Sequence, residues 1–318
     1  MNKKIIFLAF TLIIATLTNA QSQKYTVVDE VVKKLGSLPE FNVATITDTI
    51  TRNLANKEMK ARAIFYWVTN HIAIDAKATK LNDQKNKDPE NVIKLRRATA
   101  QGFSLLIQEM CSLVNIRCLS IDGYLKSFPE EINEKVDETN HSWNVIQLGE
   151  SPEQWFYVDA SRASGYLDKK MAVFTRQYTP QYFFADKLLF NLDHYADNAA
   201  WQLGPGPKNR KDFYALPVIS SAAYQYGLKK PAPITGTIKT KINSPVNFSF
   251  PYNGAKLVSV DLIIGDNRKL KKPEHMNFST GNNTLSFSYA FKEEDEFPIR
   301  IIVDGKELMA YQVVVKAK

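Results

Sequence analysis

Apolar residues recur at helical spacing from about Ala44 to Ile74. Ile46, Ile50 and Leu54 stand four apart, and Ala61, Ile64, Phe65, Val68 and Ile72 continue such a stripe. The polar run Lys57 to Lys60 either separates two helices or lies on one exposed face, and residues 76–90 read as a polar surface loop. A second amphipathic helix is predicted over Gln101 to Val114, with Phe103, Leu106, Ile107, Met110 and Leu113 on its apolar side. The period then shortens. Arg117 to Leu125, Trp143 to Leu148 and Trp155 to Val158 are β-rich runs between charged loops, and helices followed by consecutive strands predict an α+β layer rather than βαβ units. Tyr178 to Leu228, rich in aromatic residues and prolines, carries no clear period. Lys229-Lys230-Pro231-Ala232-Pro233 reads as a linker. Beyond it lie strand-like runs at Val246–Phe250, Leu257–Ile264, Thr284–Phe291, Ile299–Val303 and Tyr311–Val315, with turns at Gly281-Asn282-Asn283 and Asp304-Gly305. The expected organisation is an α+β domain over residues 21–230 and an all-β, immunoglobulin-like sandwich over 231–318.

The first residues are set apart from this pattern. Lys3 and Lys4 precede an apolar run from Ile5 to Leu17, and Thr18-Asn19-Ala20 offers a small-residue cleavage site. Such a run is shorter than the roughly 20 residues a membrane span needs and has the form of a secretory signal peptide. The chain is therefore expected to be exported, periplasmic or secreted, with no membrane span. Removing Lys3 and Lys4 lowers the formal charge of +8 to +6. That surplus is diffuse except at Arg268, Lys269, Lys271 and Lys272, so nucleic acid is not expected as a partner. Cys111 and Cys118 are seven residues apart; export allows a disulfide, whereas two small buried side chains are the plainer reading. His71, His141, His194 and His275 are scattered, no Cys-x-x-Cys occurs, and no Asp-x-Asp-x-Asp-Gly loop is present. No metal or other cofactor is expected.

Two places carry candidate chemistry. Asn140-His141-Ser142-Trp143-Asn144 puts a histidine at the start of a β-run, and Trp155-Phe156-Tyr157-Val158-Asp159 ends an apolar strand in a carboxylate. The gap between them suits neighbouring strands, so His141 and Asp159 are expected to face each other. A carboxylate on one imidazole nitrogen leaves the other basic, although such a pair by itself is more often structural than catalytic.

Arg96-Arg97-Ala98-Thr99-Ala100-Gln101-Gly102-Phe103-Ser104 resembles the nucleophile segment of transglutaminase-like proteins, normally Arg-x-Gly-Val-Cys-x-Gly-Tyr-Ala. His141-Ser142-Trp143-Asn144 resembles their His-Ala-Trp-Asn strand and Val158-Asp159 their strand ending in aspartate. Tyr182-Phe183-Phe184, Trp201-Gln202-Leu203, Leu216-Pro217 and Tyr226-Gly227-Leu228 resemble landmarks of the kyphoscoliosis-peptidase-like branch. The resemblance covers about residues 25 to 230 and implies a papain-like fold with a Cys-His-Asp triad. It also implies that Ala100 stands where the family has its cysteine and Ala98 where it has glycine. A methyl group can neither ionise nor form a thioester, and losing the nucleophile removes nearly all covalent catalysis. Cys111 lies eleven positions along the same predicted helix, about 16 Å away at 1.5 Å per residue. Thr99 and Ser104 would need a different backbone path to replace it.

The expectation is an inactive transglutaminase-like protein that binds a peptide, protein or glycan outside the cytoplasm, with Gln101 and Trp143 shaping the site around His141 and Asp159. The alternatives are an enzyme with an unusual nucleophile, an engineered Cys→Ala change at position 100, or a sandwich that does the binding while the first domain is a spacer.

Overall fold

The structure, a computed structural model, describes residues 24–81, 83, 87–149, 154–265 and 272–317. The expected signal segment lies outside them, as do Arg268, Lys269 and Lys271. The chain divides into two compact units: one holds the described residues up to 120 with 144–155 and 159–183, the other 121–143, 156–158 and 184 onward.

The first unit is mainly helical. It opens with α1 (24–35), followed by α2 (Val43–Thr51) and α3 (Lys57–His71). Asn42 and Asn56 cap the latter two, accepting from the amides of Thr45 and Met59. Such caps satisfy donors that have no partner within the helix. Lys57 to Lys60 are thus the first turn of α3 and do not separate the helices; the break falls before Asn56. Ile46, Ile50, Ala61, Ile64, Phe65 and Val68 are buried as their spacing predicts. Arg62 sits among them, its guanidinium 2.6 and 2.8 Å from the two carboxylate oxygens of Asp29 and donating to the Tyr178 hydroxyl at 2.9 Å.

The segment read as a polar loop contains a short helix, α4 (Ala76–Lys80), and leads into α5 (Pro89–Leu95). Asp75 and Asp88 cap them, and Pro89 occupies a first-turn position where its missing N–H costs nothing. β1 (Ala73–Ile74) pairs in parallel with β2 (Arg97–Ala98). Next comes α6 (Ala100–Leu113), which buries Phe103, Leu106, Ile107 and Met110. Leu113, predicted on the apolar side, is exposed at the helix end.

A four-stranded sheet comes next along the chain. It contains β3 (Cys118–Leu125), β4 (His141–Leu148) and β5 (Gln154–Val158). After it come α7 (Ala160–Ser164) and the hairpin of β6 (Gly165–Leu167) with β7 (Phe174–Arg176). The fourth strand, β8 (His194–Ala196), follows α8 (Lys187–Asp193) out of the region without a clear period, giving the order β5-β4-β3-β8.

In the second unit α9 (Arg210–Tyr214), β9 (Val218–Ile219) and α10 (Ser221–Gln225) precede the C-terminal strands. These are β10 (Thr237–Lys241), β11 (Pro245–Pro251), β12 (Val260–Ile264), β13 (Glu274–His275), β14 (Thr284–Ala290), β15 (Asp295–Val303) and β16 (Lys306–Lys316). One sheet runs β10-β16-β15-β12-β13 with β9 also on β16, and the other pairs β11 with β14. All pairs are antiparallel except β10 with β16, consistent with a β-sandwich. Asp304 and Gly305 both have positive φ, the geometry of a two-residue hairpin turn. Phe248 stacks on Phe287 at 4.8 Å and meets Tyr311 of the other sheet edge-on at 5.9 Å. No helix among the described residues is long and apolar enough to cross a membrane.

Candidate functional site

The alternation of β4 sorts the motif His141-Ser142-Trp143-Asn144 between two faces. Ser142 donates to Asp122 Oδ1 at 2.6 Å, and Asn144 Nδ2 donates to the Ser104 carbonyl of α6 at 2.9 Å. His141 and Trp143 take the other face, their rings 6.3 Å apart. Just before them, Asn140 fixes where β4 begins, because its side-chain amide accepts from the Leu125 amide and donates to the Leu125 carbonyl. Trp143 is 1% exposed. Its ring meets Phe190 at 5.7 Å and His194 at 5.2 Å, and its indole N–H is buried with no hydrogen-bond partner among the described residues.

Gly123 on β3 lets these strands approach so closely. A Cβ there would lie 2.3 Å from the Tyr195 carbonyl and 2.4 Å from the Trp143 ring, well inside contact distance.

Asp159 directly follows β5, the neighbour of β4 in the sheet. It caps α7, its Oδ1 accepting from Ser161 Oγ at 2.8 Å and the Arg162 amide at 2.9 Å. Asp159 belongs to the first unit and His141 to the second, and within the second unit the structure adds a residue that the spacing did not single out. His194 opens β8, its ring 5.4 Å from that of His141. The histidines that look scattered along the chain are thus in part gathered by the fold. His194 falls in the stretch with no readable period, and no motif around it betrays the position.

The His194 ring is held firmly. It stacks on Phe190 at 3.8 Å, and Phe190 stacks on Tyr157 at 4.1 Å. Asp193 Oδ2 lies 3.5 Å from His194 Nδ1 and also accepts from the Tyr224 hydroxyl at 3.2 Å. Sequence reasoning missed Lys126 as well. This lysine is 2% exposed, donates to the Phe213 carbonyl at 2.6 Å and lies 3.6 Å from the Phe213 ring centre. Burial pushes its amine down to about 7, against the opposing pull of Asp193 and Glu131.

Ala100 is the first residue of α6, and Gln101 the second; both are half-buried. Thr99, the N-cap, accepts from the Gly102 amide at 3.4 Å. Ser104 is buried, donates to the Gln101 carbonyl at 3.0 Å and shares a 2.6 Å hydrogen bond with Ser120 Oγ. Cys111 and Cys118 are both free and buried, near the opposite end of α6. Burial first, and then the hydrogen bond with Cys111, pushes the Cys118 thiol well up, the reverse of what a nucleophilic thiolate needs.

The sequence model of the Transglutaminase-like superfamily matches residues 44–160, the stretch that holds Ala100, His141 and Asp159. Residues 44–160 form a transglutaminase-like domain. The curated relatives of the chain include proteins named kyphoscoliosis peptidase from Mus musculus, 28% identical over 205 residues, and Homo sapiens, 29% identical over 206 residues. Each match covers 61% of this chain and 31% of the relative. Hillarin of Drosophila melanogaster is 25% identical over 185 residues, covering 53% of this chain and 22% of its own. The chain thus spans less than a third of the length of these relatives. Its transglutaminase-like domain is similar to the kyphoscoliosis-peptidase-like branch, and His194 lies beyond the residues that the superfamily model matches.

Proposed function

We propose that this is a catalytically inactive transglutaminase-like protein, its thiol position vacated at Ala100, that binds a peptide, protein or glycan outside the cytoplasm. The observation that carries the reading is the start of α6. Ala100 opens that helix behind the Thr99 cap, where a helix N-terminus would favour a thiolate, and a methyl group stands there instead. The nearby hydroxyls support the same reading. Thr99 is engaged as the cap and Ser104 is buried in its bond to Ser120. The decisive assay incubates the purified chain with generic peptides and with amine–glutamine pairs. Turnover should not exceed that of a His141→Ala control, and turnover well above that control would end the proposal.

A second reading draws on the printed name of the relatives, which calls them peptidases. If codon 100 of the source gene specifies cysteine, Ala100 is an engineered change and the enzyme reading replaces the binding one. A covalent adduct mapped to Thr99 or Ser104 would also favour an enzyme. Export rests on the first 20 residues and predicts a purified mature protein beginning at Gln21; a retained Met1 would refute it.

A further inference from the structure

We propose that the cleft between residues 130–134 and the outer face of β10, β16 and β15 binds a short peptide through its two charged termini. The strand register builds one wall. Lys239 of β10 and Glu296 of β15 both pair with Val314 of β16, so the three side chains form one row on one side of the sheet. Ile238 and Val313, at the alternate positions, are buried in the core. With strands about 4.8 Å apart, the backbones of Lys239 and Glu296 stand about 10 Å from each other, with an apolar side chain between them. Among the described residues neither charge is engaged in an ion pair. Opposite charges kept on either side of Val314 match a ligand that carries both signs.

The opposite wall is fixed before any ligand arrives. Glu131 closes the short turn Pro129–Glu131, its Oε2 accepting from the amides of Ser127 and Phe128 at 2.7 Å. Ile132 is buried with Val218 and Ala310. The Asn133 amide donates to the Tyr214 carbonyl at 2.9 Å and its Nδ2 to Thr237 Oγ1 at 2.8 Å. Gln312 Nε2 donates to the Pro129 carbonyl at 3.1 Å. These side chains use only their nitrogens there, which leaves two side-chain carbonyls for N–H groups of a ligand. The cleft holds about 530 Å3, within the range of roughly 300 to 1,000 Å3 usual for small-ligand sites. Extended chain covers about 3.3–3.6 Å per residue, so two or three residues reach from Lys239 to Glu296. The peptide carboxylate then lies at Lys239 and Lys316, and its ammonium at Glu296. Glu130 and Glu134 also line the cleft, and this excess of carboxylates favours a basic side chain in the middle of the peptide. On the competing account these are solvated surface charges around a crevice that nothing fills. The cleft lies wholly in the second unit and uses neither Ala100 nor His141, so substrate turnover would end the reading above and leave this one standing.

The test titrates the full chain with Ala-Lys-Ala, unblocked at both ends, and follows backbone amide NMR signals. The expected result is saturable one-to-one binding that shifts the amides around Lys239, Glu296 and Val314. Acetylating the peptide N-terminus or amidating its C-terminus should each weaken binding about two- to fivefold, the worth of one exposed charge contact. Ala-Glu-Ala should bind less tightly than Ala-Lys-Ala. Lys239→Ala and Glu296→Ala, both at exposed positions, should lose affinity by a similar factor, with circular dichroism establishing that they fold. In Lys239→Ala, amidating the peptide should cost less than it does in the parent, because the two changes remove the same contact. Lys256→Ala, at an exposed lysine outside the cleft, should bind as the parent does. Absence of saturable shifts there, equal binding of the doubly blocked peptide, equal binding of a neutral trisaccharide, or full affinity in folded Lys239→Ala and Glu296→Ala would each overturn the proposal.

Discussion

A lysine that keeps its amine out of water must be held there by packing, and Lys126 shows how. Its stem and amine lie against Phe213 and Tyr214, and the Phe213 carbonyl takes one N–H. Burial penalises the charged ammonium and so lowers its pKa to about 7, and the neutral amine can still donate that bond. The sign of the linkage follows. The unfolded chain holds this proton up to the ordinary lysine pKa near 10.5, whereas the folded chain releases it near 7. Below about 7 both states are protonated and folding bears the full penalty. The penalty shrinks as pH rises from about 7 to about 10.5 and is gone above that. Lys126→Met should therefore stabilise the protein most near pH 6.5 and progressively less towards pH 10, read by denaturant midpoints across that range. A stabilisation that does not change with pH would contradict the buried-amine account. At Thr99 the prediction is simpler: Thr99→Ala removes the cap of α6 and should cost about 1 kcal/mol in urea unfolding.

Elements are where the chain is easiest to read and where it also misleads. The stripes of α2, α3 and α6 were legible because one apolar face recurs every three or four residues and is buried. The strands of the sandwich were legible because their alternation matches a sheet with one face in the core. Helix α4 was hidden, since its five residues, Ala76 to Lys80, are too few to show a period, and it forms behind the Asp75 cap. His194 reaches the His141 ring only through the placing of β8 beside β3. Nothing local encodes that placing, just as nothing local marks Lys126 as buried. Gly123 is the backbone side of the same packing. Gly123→Ala would drive a methyl into the Tyr195 carbonyl and the Trp143 ring and should lower stability by about 1–3 kcal/mol, with a shift in indole fluorescence. An alanine variant as stable as the parent would show that the strands can separate without loss.

At the scale of the molecule each unit has its own reporter of opening. Cys111 and Cys118 are buried in the first unit. Neither should react with Ellman's reagent in the native protein, and two thiols per chain should appear along the denaturation curve followed by circular dichroism. Rapid native reaction, independent of denaturant, would show that α6 frays at its end. In the second unit β16 is bordered by β10 on one side and β15 on the other. Its interior amides from Met309 to Val315 should be the slowest there to exchange with deuterium.

The pairing of β16 also sets an order of events during synthesis. Val218 and Ile219 of β9, and all of β10, take their strand partners from residues 309–316. A ribosome delivers those partners long after the residues that need them, so β10 waits unpaired while about seventy-five further residues are added and β9 while about ninety are. Unpaired strands of this kind are exposed to wrong partners until the right one arrives. A nascent chain stalled before Lys306 could complete the helical unit but not the second one. Premature release at that stage should yield aggregates, whereas a chain carried through to β16 has the strand on which the others assemble.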